Sequence, residues 1–244
     1  MIIGLIPSRL NSKRLKKKAL LEIENFPIIV HTYKRAKLSK KIDKLIVCTD
    51  SKEIQRVVKS YGGECVLTSR KHKNGTERIN EVASKFKAKL IVDIQGDEPL
   101  IDPNHIDKVI DFHTKNKNFD IVLPTLKFND PEQKNIVKVV SDSKKNVLYL
   151  SRSIIPFPFK FKPKYYNKHL SIISFKPSAL KKYCECKETY LEKIEGIELL
   201  RALENNLKIG TFSMISNSFS VDIKEDYLKA IKAFKSDKYK NAYK

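Results

Sequence analysis

The chain has 244 residues, 41% of them hydrophobic and 32% charged, which favours one large domain with a buried core and excludes a disordered chain. No apolar run approaches the roughly eighteen residues that a membrane-spanning helix needs, and four cysteines in this length do not make a disulfide framework. The first residues lack the basic leader of a secretory signal, so a cytoplasmic protein with free thiols is expected.

The formal net charge of +21 raises the question of nucleic-acid binding. Only eight of the 49 basic residues are Arg, and the 41 Lys are spread along the chain. Nucleic-acid interfaces favour the forked contacts of Arg, and no nucleic-acid motif occurs here. We therefore predict a solvated lysine-rich surface without a nucleic-acid partner, whose positive field attracts small polyanions such as nucleotides. A nucleic-acid-binding module remains the alternative.

Strand and helix patterns alternate through the first 115 residues. The predicted strands are residues 2–6, 44–49, 64–68 and 89–94, and the predicted helices start at Pro27, run from the cap Asp50-Ser51 to Tyr61, cover 76–86, and start again at Pro103. This alternation predicts a mainly parallel sheet wrapped by helices. Ligands of such sheets bind at the carboxyl ends of the strands. The loops expected to share one crevice are 7–18, 50–51, 68–78 and 95–99.

After Asp120 the pattern becomes richer in strands. The predicted elements are strands 121–126, 136–141, 146–151, 169–175 and 208–215, a hairpin turn at 142–144, and helices 194–205 and 224–234. The lysine-rich end from Lys235 is expected to fray. No repeat or clean linker occurs, so we predict a single domain over 1–244 with a β-rich insertion at about 127–190. The segment 156–163, rich in Pro and Phe, is not helical and is interpreted either as an arm over a site or as a contact between subunits.

A cationic loop follows the first strand and contains Arg9, Arg14 and Lys18. These residues lie four or five positions apart, so a folded-back loop can direct all three into one pocket. A triphosphate requires such donors, because Arg binds phosphate in a fork and Lys as a point charge. An exposed basic loop explains the same spacing equally well.

Two carboxylates follow extended segments that lie far apart in the chain: Asp97, within Gln-Gly-Asp-Glu-Pro, and Asp222. A carboxylate directly after a buried strand points into the crevice, and Mg²⁺ takes one or two carboxylates together with water and phosphate oxygens. The pair is therefore a candidate metal site. The alternative for Asp97 is an acidic turn in which Pro99 starts a helix.

Three further positions have both a functional and an ordinary interpretation. Gly75 and Thr76 open a helix whose loop either contacts a nucleobase or is a normal capped helix start. Arg152, at a strand end, suits a substrate carboxylate or a surface ion pair, and His169 is usually a structural residue in such a strand. A stripe of charges at helical spacing is typical of a solvated ion-pair face: Glu192, Glu195, Glu198 and Arg201.

Taken in chain order, these segments resemble the 3-deoxy-manno-octulosonate (Kdo) cytidylyltransferases. The resemblance covers nearly the whole chain, and the combination of GTER, QGDEP, YxSRxxIP and a late VD is specific. The matching stretches are IPSRLNSKRL (6–15), FPIIVH (26–31), HKNGTERINEV (72–82), QGDEP (95–99), VKVV (137–140), YLSRSIIP (149–156), KHL (168–170), LEKIEGIELLRALE (191–204) and VDIKED (221–226).

The resemblance implies an α/β, Rossmann-like nucleotidyltransferase fold, with a mainly parallel sheet and a β-rich insertion through which a homodimer forms. It implies transfer of CMP from CTP to the anomeric hydroxyl of a 2-keto-3-deoxy sugar acid, with Mg²⁺ as cofactor. By the same resemblance, the site residues are Arg9, Arg14 and the catalytic Lys18 for the triphosphate, Gly75 and Thr76 for the nucleotide, Asp97 and Asp222 for the metal, and Gln95, Arg152 and His169 for the sugar.

The sequence departs from the family pattern in two places. Lys16-Lys17 replaces a Pro-Gly pair, so a turn that depends on Gly is expected to be strained. On the sugar side, 171–175 loses two aromatic hydroxyls, and Leu199 replaces a Gln. These apolar changes leave another acid sugar as an alternative substrate, such as an amino-substituted Kdo or a nonulosonic acid. A catalytically weak homologue that binds nucleotide as a regulator is a further alternative.

Overall fold

A computed structural model of the protein describes residues 1–12, 14–215 and 218–243. The chain forms two compact units: unit 1 consists of Met1–Lys108 and Asn217–Lys244, and unit 2 of Val109–Ser216. The α/β fold class is as predicted, whereas the single domain with an insertion at about 127–190 stays a prediction. No helix among the described residues is long and apolar enough to cross a membrane.

Twelve strands, eight α-helices and one 3₁₀ turn (Lys18–Leu20) occur in the described residues. The strands are β1 (Ile2–Ser8), β2 (Glu22–Ile23), β3 (Phe26–Pro27), β4 (Lys44–Thr49), β5 (Cys65–Leu67), β6 (Leu90–Ile94), β7 (Ile121–Phe128), β8 (Lys138–Ser141), β9 (Val147–Ser151), β10 (Tyr166–His169), β11 (Ile172–Phe175) and β12 (Ile209–Met214). The helices are α1 (Ile28–Ala36), α2 (Lys52–Ser60), α3 (Gly75–Ala83), α4 (Pro103–Lys115), α5 (Pro177–Glu185), α6 (Tyr190–Glu195), α7 (Leu199–Glu204) and α8 (Lys224–Phe234).

Unit 1 contains the parallel sheet that the alternating pattern predicts. β1 pairs with β4 on one side and with β6 on the other, and β5 extends the sheet beyond β4, all in parallel. Ile3, Leu5 and Ile6 of β1 are fully buried, which explains why this strand is a continuous apolar run rather than an alternating one. Because the strands are parallel, the loops after β1, β4, β5 and β6 leave the sheet at the same edge.

The C-terminal residues of unit 1 are docked, and the prediction that they fray is wrong. Asp237 accepts a hydrogen bond from Arg35 Nη1 at 2.6 Å, and the Tyr243 side chain lies against α1. His31 Nε2 lies 2.8 Å from the Ile23 carbonyl, so it must donate there, and its Nδ1 then accepts from the Tyr243 hydroxyl at 3.0 Å. The contacts of Tyr243 and Asp237 with α1 therefore hold the chain end in place, although its lysine-rich composition suggested fraying.

Unit 2 is built around β7, with β12 parallel on one side and β10 and β11 antiparallel on the other. The predicted strand 169–175 is confirmed over Ile172–Phe175 as β11, but it is not continuous, because His169 belongs to a separate strand, β10. His169 lies opposite Thr125 of β7, and Ser174 lies opposite Val122 of β7. The chain therefore advances five residues from His169 to Ser174 while β7 advances only three, and the two extra residues form a bulge. The bulge lies beside Pro124, which has no N–H to donate to the ladder.

The predicted helix 194–205 is confirmed over Leu199–Glu204 as α7, but its first residues belong to a separate helix, α6. Gly196 ends α6 in the left-handed conformation, with a φ of +61°. Across this break, two guanidinium nitrogens of Arg201 donate to the two carboxylate oxygens of Glu192, each at 2.7 Å. The side chains are only 4% and 6% exposed, so this pair is a buried salt bridge and not the predicted solvated face.

Candidate active site

Three loops of unit 1 meet around Pro7, at the end of β1. A Cβ atom on Gly96 would lie 2.8 Å from the Pro7 carbonyl oxygen, so only glycine allows the loop after β6 to approach β1 this closely. A Cβ on Gly75 would lie 3.2 Å from the Pro7 ring. Arg78 links one further loop, which contains Asp50, to the loop of Gly75, because it donates to Asp50 at 2.8 Å and to Thr68. These loops of unit 1 therefore lie close together, as predicted, and the ligand crevice that they are expected to share stays a prediction.

At this edge the ammonium group of Lys18 joins two carboxylates. Its Nζ lies 2.6 Å from Asp97 Oδ2 and 3.0 Å from Asp222 Oδ1. Arg14 Nη2 reaches the same Asp222 oxygen at 2.9 Å. These four residues are called the Lys18 cluster. The cluster lies at the surface, because the side chains of Lys18, Asp97 and Asp222 are 15%, 26% and 30% exposed.

The segment that carries Asp222 is attached to the loop after β6 by the residues on either side of the cluster. The Val221 N–H donates to the Asp97 carbonyl at 2.9 Å, and Ser218 Oγ donates to Glu98 Oε2 at 2.7 Å. Glu98 is only 2% exposed, so its carboxylate is an internal anchor. These bonds explain how two aspartates 125 positions apart come to share one cation.

Electrostatics keep the Lys18 amine protonated. Burial alone lowers the pKa of Lys18, but the charges and hydrogen bonds of Asp97 and Asp222 outweigh it and raise the pKa above its ordinary value. The ammonium therefore keeps its charge throughout the neutral range. An ammonium has three N–H donors, two of which the aspartates can accept, which leaves one for a ligand oxygen.

The donor set of the cluster fits a hard divalent cation. Asp97 and Asp222 supply carboxylate oxygens that converge on one positive charge. In the part of the chain that the structure describes, no group of three or more His, Cys, Asp or Glu side chains is arranged to hold a metal. A cation held by these two aspartates would take its remaining ligands from water and phosphate, as Mg²⁺ commonly does.

The turn before Lys18 has the strain that the sequence predicts. Lys17 has a φ of 50° and a ψ of 34°, the left-handed region that favours glycine. It occupies the second position of the pair that is Pro-Gly in the family pattern. Its ammonium lies 2.9 Å from Glu53, an ion pair between two half-exposed side chains that does little to offset the backbone strain.

The loop that contains Gly75 and Thr76 forms a capped helix start. Asn74 Oδ1 accepts from the Glu77 N–H at 2.8 Å, and Thr76 is buried, at 5% exposure. The ordinary interpretation is therefore correct for the local geometry. A rigid helix start beside Pro7 is also a suitable platform for a nucleotide, and that role stays a prediction.

The structure places the other predicted residues of unit 1 around the same edge. Arg9 is exposed directly after β1, and Gln95 is partly buried at the end of β6. The side-chain amide of Gln95 donates to Asp93 Oδ2 at 3.2 Å. Asp93 and Glu98 are buried carboxylates that the sequence analysis missed. An acid inside an otherwise apolar strand, and one beside Asp97, are the signals that could have identified them.

The two predicted sugar-binding residues of unit 2 have different environments. The Arg152 guanidinium donates to backbone oxygens, including Glu195 O at 2.8 Å and Gly196 O at 3.2 Å. In this structure its hydrogen bonds therefore fix the backbone at the end of α6. His169 is partly buried on β10, and burial lowers the pKa of its imidazole to about 4. His169 is therefore neutral at pH 7, a state suited to hydroxyl partners. Both roles stay predictions.

Comparison with known proteins gives consistent matches. A profile of the cytidylyltransferase family matches residues 3–209. The 3-deoxy-manno-octulosonate cytidylyltransferases of Leptospira biflexa and Fusobacterium nucleatum are each 40% identical to the chain, over 96% and 98% of its length and the same shares of their own. A solved structure of CMP:2-keto-3-deoxy-manno-octonic acid synthetase complexed with CTP matches with a TM-score of 0.92 and 29% identity, over 96% of this chain and 98% of that one.

Proposed function

The chain belongs to the 3-deoxy-manno-octulosonate cytidylyltransferase family of nucleotidyltransferases, and we propose that it transfers CMP from CTP to Kdo or a close analogue. The anomeric hydroxyl of the acid attacks the α-phosphorus of CTP in line. A new bond forms between that oxygen and the α-phosphorus, the bond from the α-phosphorus to the bridging oxygen breaks, and pyrophosphate leaves. The hydroxyl proton is released to solvent. No protein nucleophile is needed, so catalysis is positioning and charge stabilisation.

The Lys18 cluster supplies the charges that this reaction requires. Lys18 would donate an N–H to a phosphate oxygen and would stabilise the charge that develops on the leaving pyrophosphate. Arg14, whose side chain is 58% exposed, and the exposed Arg9 are available to bind the β- and γ-phosphates. The convergence of Asp97 and Asp222 on one ammonium is the single observation that carries the proposal.

Asp97 and Asp222 would also hold Mg²⁺. When bound, the ion supplies neutralisation of phosphate charge and lowers the pKa of the attacking hydroxyl. The two carboxylates orient the reacting groups, and their partial burial limits the competing water around them. Lys18 would then exchange its carboxylate partners for phosphate oxygens.

The departures from the family pattern on the sugar side are buried. Ile173, Ser174, Phe175 and Leu199 are at most 7% exposed. The Ser174 hydroxyl lies 2.7 Å from His113 Nδ1, so it has a partner inside unit 2. Because these side chains are buried, we attribute the changes to packing inside unit 2 rather than to contact with a different sugar. Kdo is therefore the first acid to test.

The proposal is tested by pyrophosphate release from the purified chain with CTP, Mg²⁺ and Kdo. We expect release only when nucleotide and acid are both present, and slower release when UTP replaces CTP. Parallel reactions with 8-amino-Kdo and a nonulosonic acid identify the preferred acid. Release without any acid, or none with all three acids, would contradict the proposal. The homodimer is a separate proposal, which light scattering of the same preparation tests.

A further inference from the structure

The loop between β5 and α3, residues 68–74, contains no hydrophobic residue that could anchor it. Its sequence is Thr-Ser-Arg-Lys-His-Lys-Asn, and Arg70, Lys71 and Lys73 are exposed. Apolar packing therefore does not fix the conformation of this segment, here called the 68–74 loop, and hydrogen bonds have to do so. The loop leads directly into Gly75 and Thr76, the two residues predicted to contact the nucleotide.

One side of α3 supplies hydrogen-bonding groups to the 68–74 loop. Glu77 and Arg78 lie four and three positions before Glu81, which places the three side chains on the same side of the helix. Glu77 Oε2 accepts from the Lys73 N–H at 2.9 Å, and Arg78 Nη1 donates to Thr68 Oγ1. Hydrogen bonds from α3 therefore hold both ends of the loop.

Glu81 binds the interior of the loop through a single carboxylate oxygen. Its Oε2 accepts from the Ser69 N–H at 2.9 Å and from His72 Nε2 at 2.6 Å. Burial alone raises the pKa of Glu81, but the two hydrogen bonds and neighbouring positive charge outweigh it and lower the pKa below its ordinary value. The carboxylate is therefore ionised at neutral pH. Because one oxygen joins two residues three positions apart, Glu81 holds this part of the loop in one conformation.

Discrimination between cytosine and uracil requires hydrogen-bonding groups that point in fixed directions. Cytosine presents an amino donor at C4 and an acceptor at N3, whereas uracil presents an acceptor and a donor at the same two positions. A loop backbone that can turn is able to offer either an N–H or a C=O, so it can pair with both bases. A backbone that is held in one conformation matches only one of them, and the mismatched base leaves polar groups unpaired.

We propose that Glu81 is a positioning residue that holds the 68–74 loop in the conformation that distinguishes cytosine from uracil. It would act through Ser69 and His72 rather than by touching the nucleotide. This role rests on the CTP site of the proposed function, and it adds the reason why the chain would prefer CTP to UTP. Removing the carboxylate should weaken that preference while every group of the Lys18 cluster remains in place.

Equilibrium binding of CTP and UTP to the full chain, measured by calorimetry with Mg²⁺ and without any acid substrate, tests this role. We expect Glu81→Ala to weaken CTP binding by about ten-fold, the effect of losing one hydrogen bond to a charged group, and to leave the weaker binding of UTP almost unchanged. Glu81→Gln should retain the preference for CTP, because its amide oxygen can accept both bonds. His72→Ala keeps the bond to Ser69 and should show a smaller loss.

Glu64→Ala is the matched control. It removes another carboxylate of unit 1 that is paired with a lysine, at 2.9 Å from Lys44, and it lies before β5 whereas the loop follows that strand. This variant should bind both nucleotides as the wild type does. In pyrophosphate release with Kdo, Glu81→Ala should have a raised KM for CTP, with kcat and the KM for Kdo close to those of the wild type.

Three results would overturn this role for Glu81. The first is a wild-type ratio of CTP to UTP binding in Glu81→Ala, and the second is an equal loss for both nucleotides, which a purely structural effect would give. The third is a wild-type chain that binds the two nucleotides equally. Thermal unfolding checks that each variant is folded, and His72→Ala provides the same comparison if Glu81→Ala is not. A chain that binds CTP selectively but releases no pyrophosphate would contradict the proposed function alone.

Discussion

Two sets of ion pairs, the Lys18 cluster in unit 1 and the Glu192–Arg201 pair in unit 2, differ in how far they are closed to solvent. In unit 1, Lys18 bridges two aspartates at the edge of the sheet, where its own side chain and both carboxylates remain 15% to 30% exposed. In unit 2, Arg201 and Glu192 form a two-pronged pair whose side chains are 4% and 6% exposed. The first arrangement can exchange partners with a ligand, whereas the second is closed. Similar chemistry therefore gives a partly exposed cluster, the proposed active site, in one unit and a closed, buried pair in the other.

The largest expected effect concerns the closed pair. Arg201→Ala should lower the free energy of unfolding by about 3–5 kcal/mol, because the Glu192 carboxylate would be left buried without its counter-charge. Denaturant titration measures this. Lys181→Ala removes one member of an exposed pair, at 3.7 Å from Glu185, and should cost less than about 1 kcal/mol. Equal losses from the two variants would remove the distinction between closed and exposed pairs.

The open cluster should behave in the opposite way. Asp97→Asn is expected to lower kcat by about 100-fold or more, typical of losing a preorganised charge contact, while stability changes little because the side chain is partly exposed. Steady-state pyrophosphate release and thermal unfolding of the same preparation measure both effects. Asp130→Asn, at an exposed carboxylate of unit 2, is the matched control. A near-normal kcat in Asp97→Asn would refute the assignment.

A third prediction concerns the response of unit 2 to acid. His113 is 2% exposed, and burial lowers its pKa from 6.5 to about 4. The unfolded chain therefore binds this proton more readily. The stabilisation from the neutral imidazole is complete above pH 6.5 and is lost as the pH falls from 6.5 to about 4, by about 3 kcal/mol in total.

The test compares His113→Gln with the wild type across that pH range. The Gln amide can donate to the Phe119 carbonyl and accept from the Ser174 hydroxyl, as the imidazole does, but it does not titrate. The free energy of unfolding of His113→Gln should therefore fall less than that of the wild type as the pH is lowered. Parallel curves for the two proteins would show that His113 does not contribute to acid sensitivity.

The smallest expected effect concerns the backbone strain at Lys17 in unit 1. Lys17→Gly should stabilise the protein by about 1 kcal/mol, because glycine adopts the left-handed conformation without the clash of a Cβ atom. It should also lower the KM for CTP if the turn positions Lys18. Lys17→Ala keeps the strain and should not stabilise. A gain in both variants would assign the effect to removal of the lysine side chain rather than to relief of backbone strain.

The parallel sheet of unit 1 could be predicted because its signals are local. Ser51 caps α2 by accepting from the Ile54 N–H, and Gly62 follows that helix with a φ of +76°, both as the sequence indicates. β4 and α8 begin and end at the predicted residues. Periodicity and capping act over a few positions, so a single sequence contains them in full.

Longer-range features could not be predicted in this way. Lys18 and Asp222 are 204 positions apart, and their contact was not predicted, because the resemblance assigned Lys18 to the triphosphate and Asp222 to the metal. The Glu192–Arg201 pair crosses a helix break, so helical spacing gave the wrong environment for it. The docking of Tyr243 depends on a partner on α1, which composition at the chain end does not reveal. Each error arose where packing between distant segments outweighed local preference.

A double-mutant cycle on Asp97→Asn and Asp222→Asn tests the central claim most directly, with pyrophosphate release from CTP and Kdo as the measurement. If the two carboxylates act as one unit with Lys18, the double variant should be about as slow as the slower single variant, because either change already disables the site. The account would be contradicted if the rate losses of the two single variants multiplied in the double variant. A near-normal rate in either single variant would also contradict it.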